Sequence, residues 1–88
     1  LPKYKVFEID RVYSKLSNES LETENWEEAL AKAKEVAEQW RDEGWYLSKP
    51  FEGWPTKKGE KVTIIVPISP YSGEIDFGAA IVEVQGGE

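Results

Sequence analysis

Between residues 25 and 44 the apolar positions of NWEEALAKAKEVAEQWRDEG fall at Trp26, Leu30, Ala33, Ala37 and Trp40, in alternating steps of four and three. That spacing keeps them on one side of a 3.6-residue helix. Ala29 and Val36 widen the stripe, while Glu27, Glu28, Lys32, Lys34, Glu35, Glu38, Gln39, Arg41 and Asp42 make the opposite face. Asn25 is placed to cap the first turn, with Glu28 as its reciprocal partner in a capping box. Gly44 supplies a left-handed residue at which the helix is expected to end. Glu27 and Glu28 suit the positive end of the helix dipole, and Glu28 with Lys32 makes a favourable i,i+4 pair.

Elsewhere the period falls to two. Residues 3–13 read as a strand with Phe7, Ile9 and Tyr13 on one side and Glu8, Asp10 and Val12 on the other. Tyr4 and Val6 break that alternation and predict a bulge or a partly covered second face. Residues 14–24, SKLSNESLETE, read as a long polar connection tied down only by Leu16 and Leu21. A short strand is expected at 45–49, then a loop at 50–60 that carries Phe51 and Trp54. Residues 61–69 give a strand with Val62, Ile64, Val66 and Ile68 facing one way and Thr63, Ile65 and Pro67 the other. Pro67 has no donor for a ladder and calls for an edge, a bulge or a strand end. A turn at 70–73 leads to a last strand, 74–84, with Ile75, Phe77, Ala79 and Ile81 opposed to Gly78, Ala80, Val82 and Val84.

The expected order is β-α-β-β-β in a single domain over residues 1–88. The fold class is α+β, with one helix packed on one face of a mainly antiparallel four-stranded sheet. This order resembles that of cystatin-like folds. The resemblance is one of architecture alone, since the chain holds no Gln-x-Val-x-Gly loop, and it implies no activity. A split βαβ arrangement with the first two strands parallel is the alternative.

One helix covers one side of a sheet, yet the strands are apolar on both. Ile65 is read as joining Gly78, Ala80, Val82 and Val84 on the uncovered face, where polar residues are usual. The 50–60 loop folding beneath that face with Phe51 and Trp54 as a plug would account for this. So would a phase shift at a bulge near Gly78. The favoured expectation is an interface with a second copy or another protein, because exposed apolar patches of this kind generally have a partner.

Composition narrows the chemistry. At 88 residues with 40% apolar and 32% charged residues, the chain has the make-up of one folded core. No cysteine means no disulfide, no thiolate nucleophile and no cysteine-ligated zinc. No histidine removes the commonest general base and transition-metal ligand. No run of residues is long and apolar enough for a membrane span, and a cytoplasmic protein is expected. The net charge of −6 disfavours direct contact with nucleic acid or anionic lipid and suits a basic protein partner.

The acid pairs Glu27/Glu28, Asp42/Glu43 and Glu74/Asp76 lack the spacing of a calcium loop. Ser69 and Ser72 flank a turn without a nucleophile elbow, and the glycines stand isolated rather than in a phosphate loop. No catalytic residue, metal or cofactor is therefore expected. The most distinctive cluster is aromatic: Trp45, Tyr46, Phe51 and Trp54, with Pro55 beside them. The resulting expectation is a non-catalytic domain acting by protein contact or self-association, with Trp45, Tyr46, Phe51, Trp54, Ile65, Val82 and Val84 as binding residues. Two alternatives stand beside it. One is a small-ligand pocket between Trp45, Phe51 and Trp54. The other is an acidic decoy, resting on the acids from Glu19 to Glu43, that blocks a basic nucleic-acid-binding protein.

Overall fold

The structure, a computed structural model, describes residues 2–10, 15–53, 60–73 and 77–84. Its helix, α1 (Trp26–Glu38), starts where the sequence predicts: Asn25 is extended, at φ −104° and ψ 116°, and its side chain accepts the Glu28 N–H at 3.0 Å. The box is one-sided, because the Asn25 N–H donates to Thr23 Oγ1 at 3.1 Å. Lys32 pairs with Glu35 at 3.1 Å rather than with Glu28. The helix also stops earlier than Gly44. Trp40 and Arg41 donate to the carbonyls of Ala37 and Glu38, both at 3.1 Å, in a tightened last turn. Arg41 then ties the exit, with Nε donating to Glu38 Oε1 at 2.6 Å and Nη1 to the Trp45 carbonyl at 2.9 Å. Gly44, at φ +84°, reverses the chain six residues beyond the helix end rather than at it.

The strands are β1 (Lys3–Asp10), β2 (Lys15–Thr23), β3 (Tyr46–Leu47), β4 (Phe51–Glu52), β5 (Lys61–Ile65), β6 (Pro67–Ile68) and β7 (Phe77–Val84). Five of them form one sheet in the order β2-β1-β7-β5-β4, antiparallel throughout, and β3 pairs with β6 in a second small sheet. The α+β class with one helix on a mainly antiparallel sheet holds. The main sheet has five strands rather than four: the polar stretch read as a connection is the edge strand β2, Phe51–Glu52 in the stretch read as a loop is the opposite edge β4, and the strand expected at 45–49 leaves for the second sheet as β3. The strand that follows the helix, β3, pairs with β6 in the second sheet and does not join β1, so no split βαβ unit with parallel flanking strands forms. β1 itself keeps continuous register with β7, so Tyr4 and Val6 mark a second covered face, beneath the helix, and not a bulge in that strand. The bulge falls on β2, where Val6 pairs with Leu21 but Glu8 with Ser17 around Asn18, at φ 50°.

Two apolar layers result. On the helix side Val6, Ile65, Ala79 and Ile81 pack against Ala29, Ala33, Val36 and Ala37. The rim there includes Leu21 and an edge-to-face pair of Tyr4 and Trp26, 5.2 Å apart. On the opposite side lie Ile9, Val62, Ile64, Val66, Ala80 and Val82, with Phe7, Leu16, Ile68 and Val84 around them. Leu16 and Leu21 thus anchor β2 to one layer each.

The expected strand over 61–69 is interrupted at Val66, where the chain leaves one sheet for the other. Ser48 holds the crossing, donating its N–H to the Val66 carbonyl at 2.7 Å and accepting the Val66 N–H on Oγ at 3.0 Å. Pro67 follows at the start of β6, a strand end of the kind its missing donor requires. No phase shift occurs at Gly78, since β7 keeps continuous register with β1 from Phe77↔Asp10 to Lys3↔Val84. Gly78 serves a different need. A Cβ there would lie 2.7 Å from the Ile65 carbonyl oxygen and 3.1 Å from Val66 Cα. Both are backbone atoms of the crossing and cannot rotate away. Gly78→Ala is accordingly expected to lower unfolding free energy by ~1–3 kcal/mol in urea titration. An unchanged midpoint would mean that the crossing moves without cost.

Candidate functional site

The sheet face expected to be an interface is closed within one chain. Val62, Ile64, Ala80 and Val82 are all buried, Val82 with only 3% of its surface exposed. Ile65 is also buried at 1%, and on the other side of the sheet: it pairs with Ala79 and packs beneath the helix. Its assignment to the second face is corrected by this register, because directly paired residues share a face. Of the three sheet residues named from the sequence, Val84 alone is half-buried on the second face.

The aromatic residues divide between the sheets. Trp45 is half-buried just before β3, and Tyr46 within β3 is exposed. Phe51 lies on β4 of the main sheet, opposite Ile64. Trp54 and Pro55 lie outside the described residues, as do Tyr13, Ile75 and the Glu74/Asp76 pair. Ser69 closes the turn at 70–73, its Oγ accepting the N–H groups of Tyr71 at 3.2 Å and Ser72 at 3.3 Å.

A groove opens instead at the end of the sheet where the helix runs out. A helix of 13 residues spans about 20 Å at 1.5 Å per residue. A strand of 8 residues spans about 26 Å at 3.3 Å per residue, so the sheet outruns its cover. Glu8 and Asp10 share the parity of Val6 on β1 and face the helix side. Their partners across the ladders are Ser17, Lys15 and Phe77, which share that face. Trp40, two residues past the end of α1, lies over this uncovered end and stacks on Phe77 with ring centroids 4.7 Å apart and planes 24° from parallel. Both rings keep 39% of their surface in water. Together with Ile9 these residues line an open groove of about 200 Å³.

Among the described residues its polar side chains are two carboxylates, one ammonium and one hydroxyl. Glu8 accepts a hydrogen bond from Asn18 Nδ2 at 3.2 Å, which fixes one side of the carboxylate. The helix C-terminus lies nearby, with the Arg41 guanidinium on Glu38 just beyond it. Sequence reasoning placed Trp40 and Phe77 in the core because each continues an apolar stripe. The signal for exposure was that Trp40 is the last member of its stripe, followed by Arg41, Asp42 and Glu43.

Among the described residues, no group of three or more acidic side chains is placed to hold a metal ion. Among the same described residues no helix is long and apolar enough to cross a membrane. Comparison with protein families, curated proteins and solved structures finds no match to this chain.

Val82 separates a core face from a contact face. Val82→Asp sets a carboxylate among Ile9, Val62 and Ile64 without a partner, and the expected loss of stability is ~3 kcal/mol or more. The midpoint in urea should drop equally at every chain concentration. A variant of full stability and altered sedimentation would return this face to the role of an interface.

Proposed function

We propose that this chain is a non-catalytic binding domain that engages another protein through the groove between Trp40, Phe77 and the adjoining ends of β1 and β2. The observation that carries this reading is the stacked pair itself. Large rings stacked on each other yet partly in water can anchor a partner at reduced entropic cost, because the stack already orients them. The volume also supports a protein partner over a drug-sized ligand. About 200 Å³ falls below the ~300 Å³ at which small-molecule pockets begin, and matches one inserted side chain. Further rings are exposed elsewhere: Tyr46 on β3, and Tyr71 at 86% in the turn that packs beside Gly44. A second copy of the chain is a poorer occupant than a different protein, since both copies carry a net charge of −6.

Trp40→Ser tests this. Loss of one exposed aromatic stack should cost ~0.5–1.5 kcal/mol of stability, far below the ~3–5 kcal/mol of a core tryptophan. In a nitrogen-15 NMR screen of short peptides, the native chain should show saturable shifts at the Trp40 indole N–H and at residues 8, 10 and 77. The variant should lose the response at those three residues. Peptide-induced shifts that fall only outside the groove, or a core-sized loss of stability, would overturn the reading.

A further inference from the structure

Resting on that groove, we infer that the side chain it receives is an arginine on a basic segment of the partner. Three features of the groove converge on a flat cation. The first is the half-open Trp40–Phe77 wall, against which a guanidinium plane stacks through both dispersion and the ring quadrupole. The second is the pair of carboxylates, Glu8 and Asp10, carried on one strand face two residues apart. A guanidinium fork meets carboxylates with two parallel N–H···O bonds, and Ser17 offers a further acceptor on the neighbouring strand. The third is the surrounding field of a chain with 17 acids against 11 bases.

Other occupants meet specific penalties. An anion faces Glu8 and Asp10. A neutral aromatic side chain would stack on the wall but bring no charged donor to Glu8 and Asp10. Lysine brings the charge, but its compact, strongly hydrated ammonium gains less from the rings. The groove also contains a competitor. Lys15 stands directly opposite Asp10 on β2, and as an exposed residue it can swing into water when a second cation arrives. Among the described lining residues, carboxylates outnumber ammonium groups even with Lys15 present.

The test uses the whole chain and three blocked pentapeptides that differ only at the central residue: arginine, lysine or citrulline. Citrulline keeps the shape of arginine and removes its charge. Nitrogen-15 NMR titration should show the arginine peptide shifting the Trp40 indole N–H and residues 8, 10 and 77 saturably. The lysine peptide should bind more weakly, and citrulline weaker by about tenfold. Glu8→Gln combined with Asp10→Asn should weaken arginine binding by about fivefold or more, and Lys15→Gln should strengthen it about two- to fivefold. Raising the salt should weaken arginine binding in the native chain. Equal groove binding by all three peptides would overturn the arginine assignment while leaving the groove as a protein-binding site. Weaker arginine binding in Lys15→Gln would overturn the assignment as well. Shifts that fall outside the groove for these peptides and for every member of the wider screen would overturn both.

Discussion

The central strand β7 has to bury both of its faces, and that requirement shapes the rest of the molecule. It lies between β1 and β5, with Ala79 and Ile81 beneath the helix and Ala80 and Val82 turned to the other layer. The helix meets it with Ala29, Ala33 and Ala37, short side chains set against Ala79 and Ile81. Alanines bury little area each. The larger burial comes from Val6, Ile64, Ile65, Val66 and Ile81 around them, and tight packing of these β-branched groups gives the core its density. At one end of β7, Gly78 makes room for the backbone of β5 to cross into the second sheet, and Ser48 satisfies both backbone groups of Val66 at that crossing.

The same arrangement creates the groove. Because helix rise per residue is less than half that of a strand, a short helix on long strands must leave one end bare. Here the start of α1 is fixed by the Asn25 cap, so the uncovered length falls at the other end. That end carries Glu8, Asp10, Lys15 and Ser17 where the core end of the same face carries Val6, Ala79 and Ile81. The change from apolar to charged along one strand face follows the edge of the helix.

Most of the architecture was legible in the sequence because it rests on periodicity. The stripe from Trp26 to Trp40 marked the helix, and the strict alternation of β5 and β7 marked strands with two apolar faces. β2 was hidden because its residues are polar, which is what an exposed edge strand permits, and because its two leucines are an odd number apart and serve opposite layers. The assignment of Ile65 failed for a different reason. Parity within one strand is readable, but which parity of β5 matches which parity of β7 is set by their pairing, and the register Ile65↔Ala79 is a long-range fact. The groove was invisible on the same ground: Trp40 and Phe77 are 37 positions apart and each looks like core on its own element. The aromatic cluster at 45–54 drew attention by density along the chain, whereas the stacked pair is dense only in space.

The bulge at Asn18 bears on how the molecule behaves in a crowded solution. An edge strand of nine residues offers an open row of backbone donors and acceptors, and two such edges meeting would extend the sheet from one molecule into the next. In β2 the regular ladder is broken between Ser17 and Leu21, which leaves only three paired residues on each side of the break. Glu19, Glu22 and Glu24 add like charge to any approaching copy. The irregularity that obscured this strand in the sequence thus guards against polymerisation, leaving an extended sheet with its longer edge blunted against its own kind.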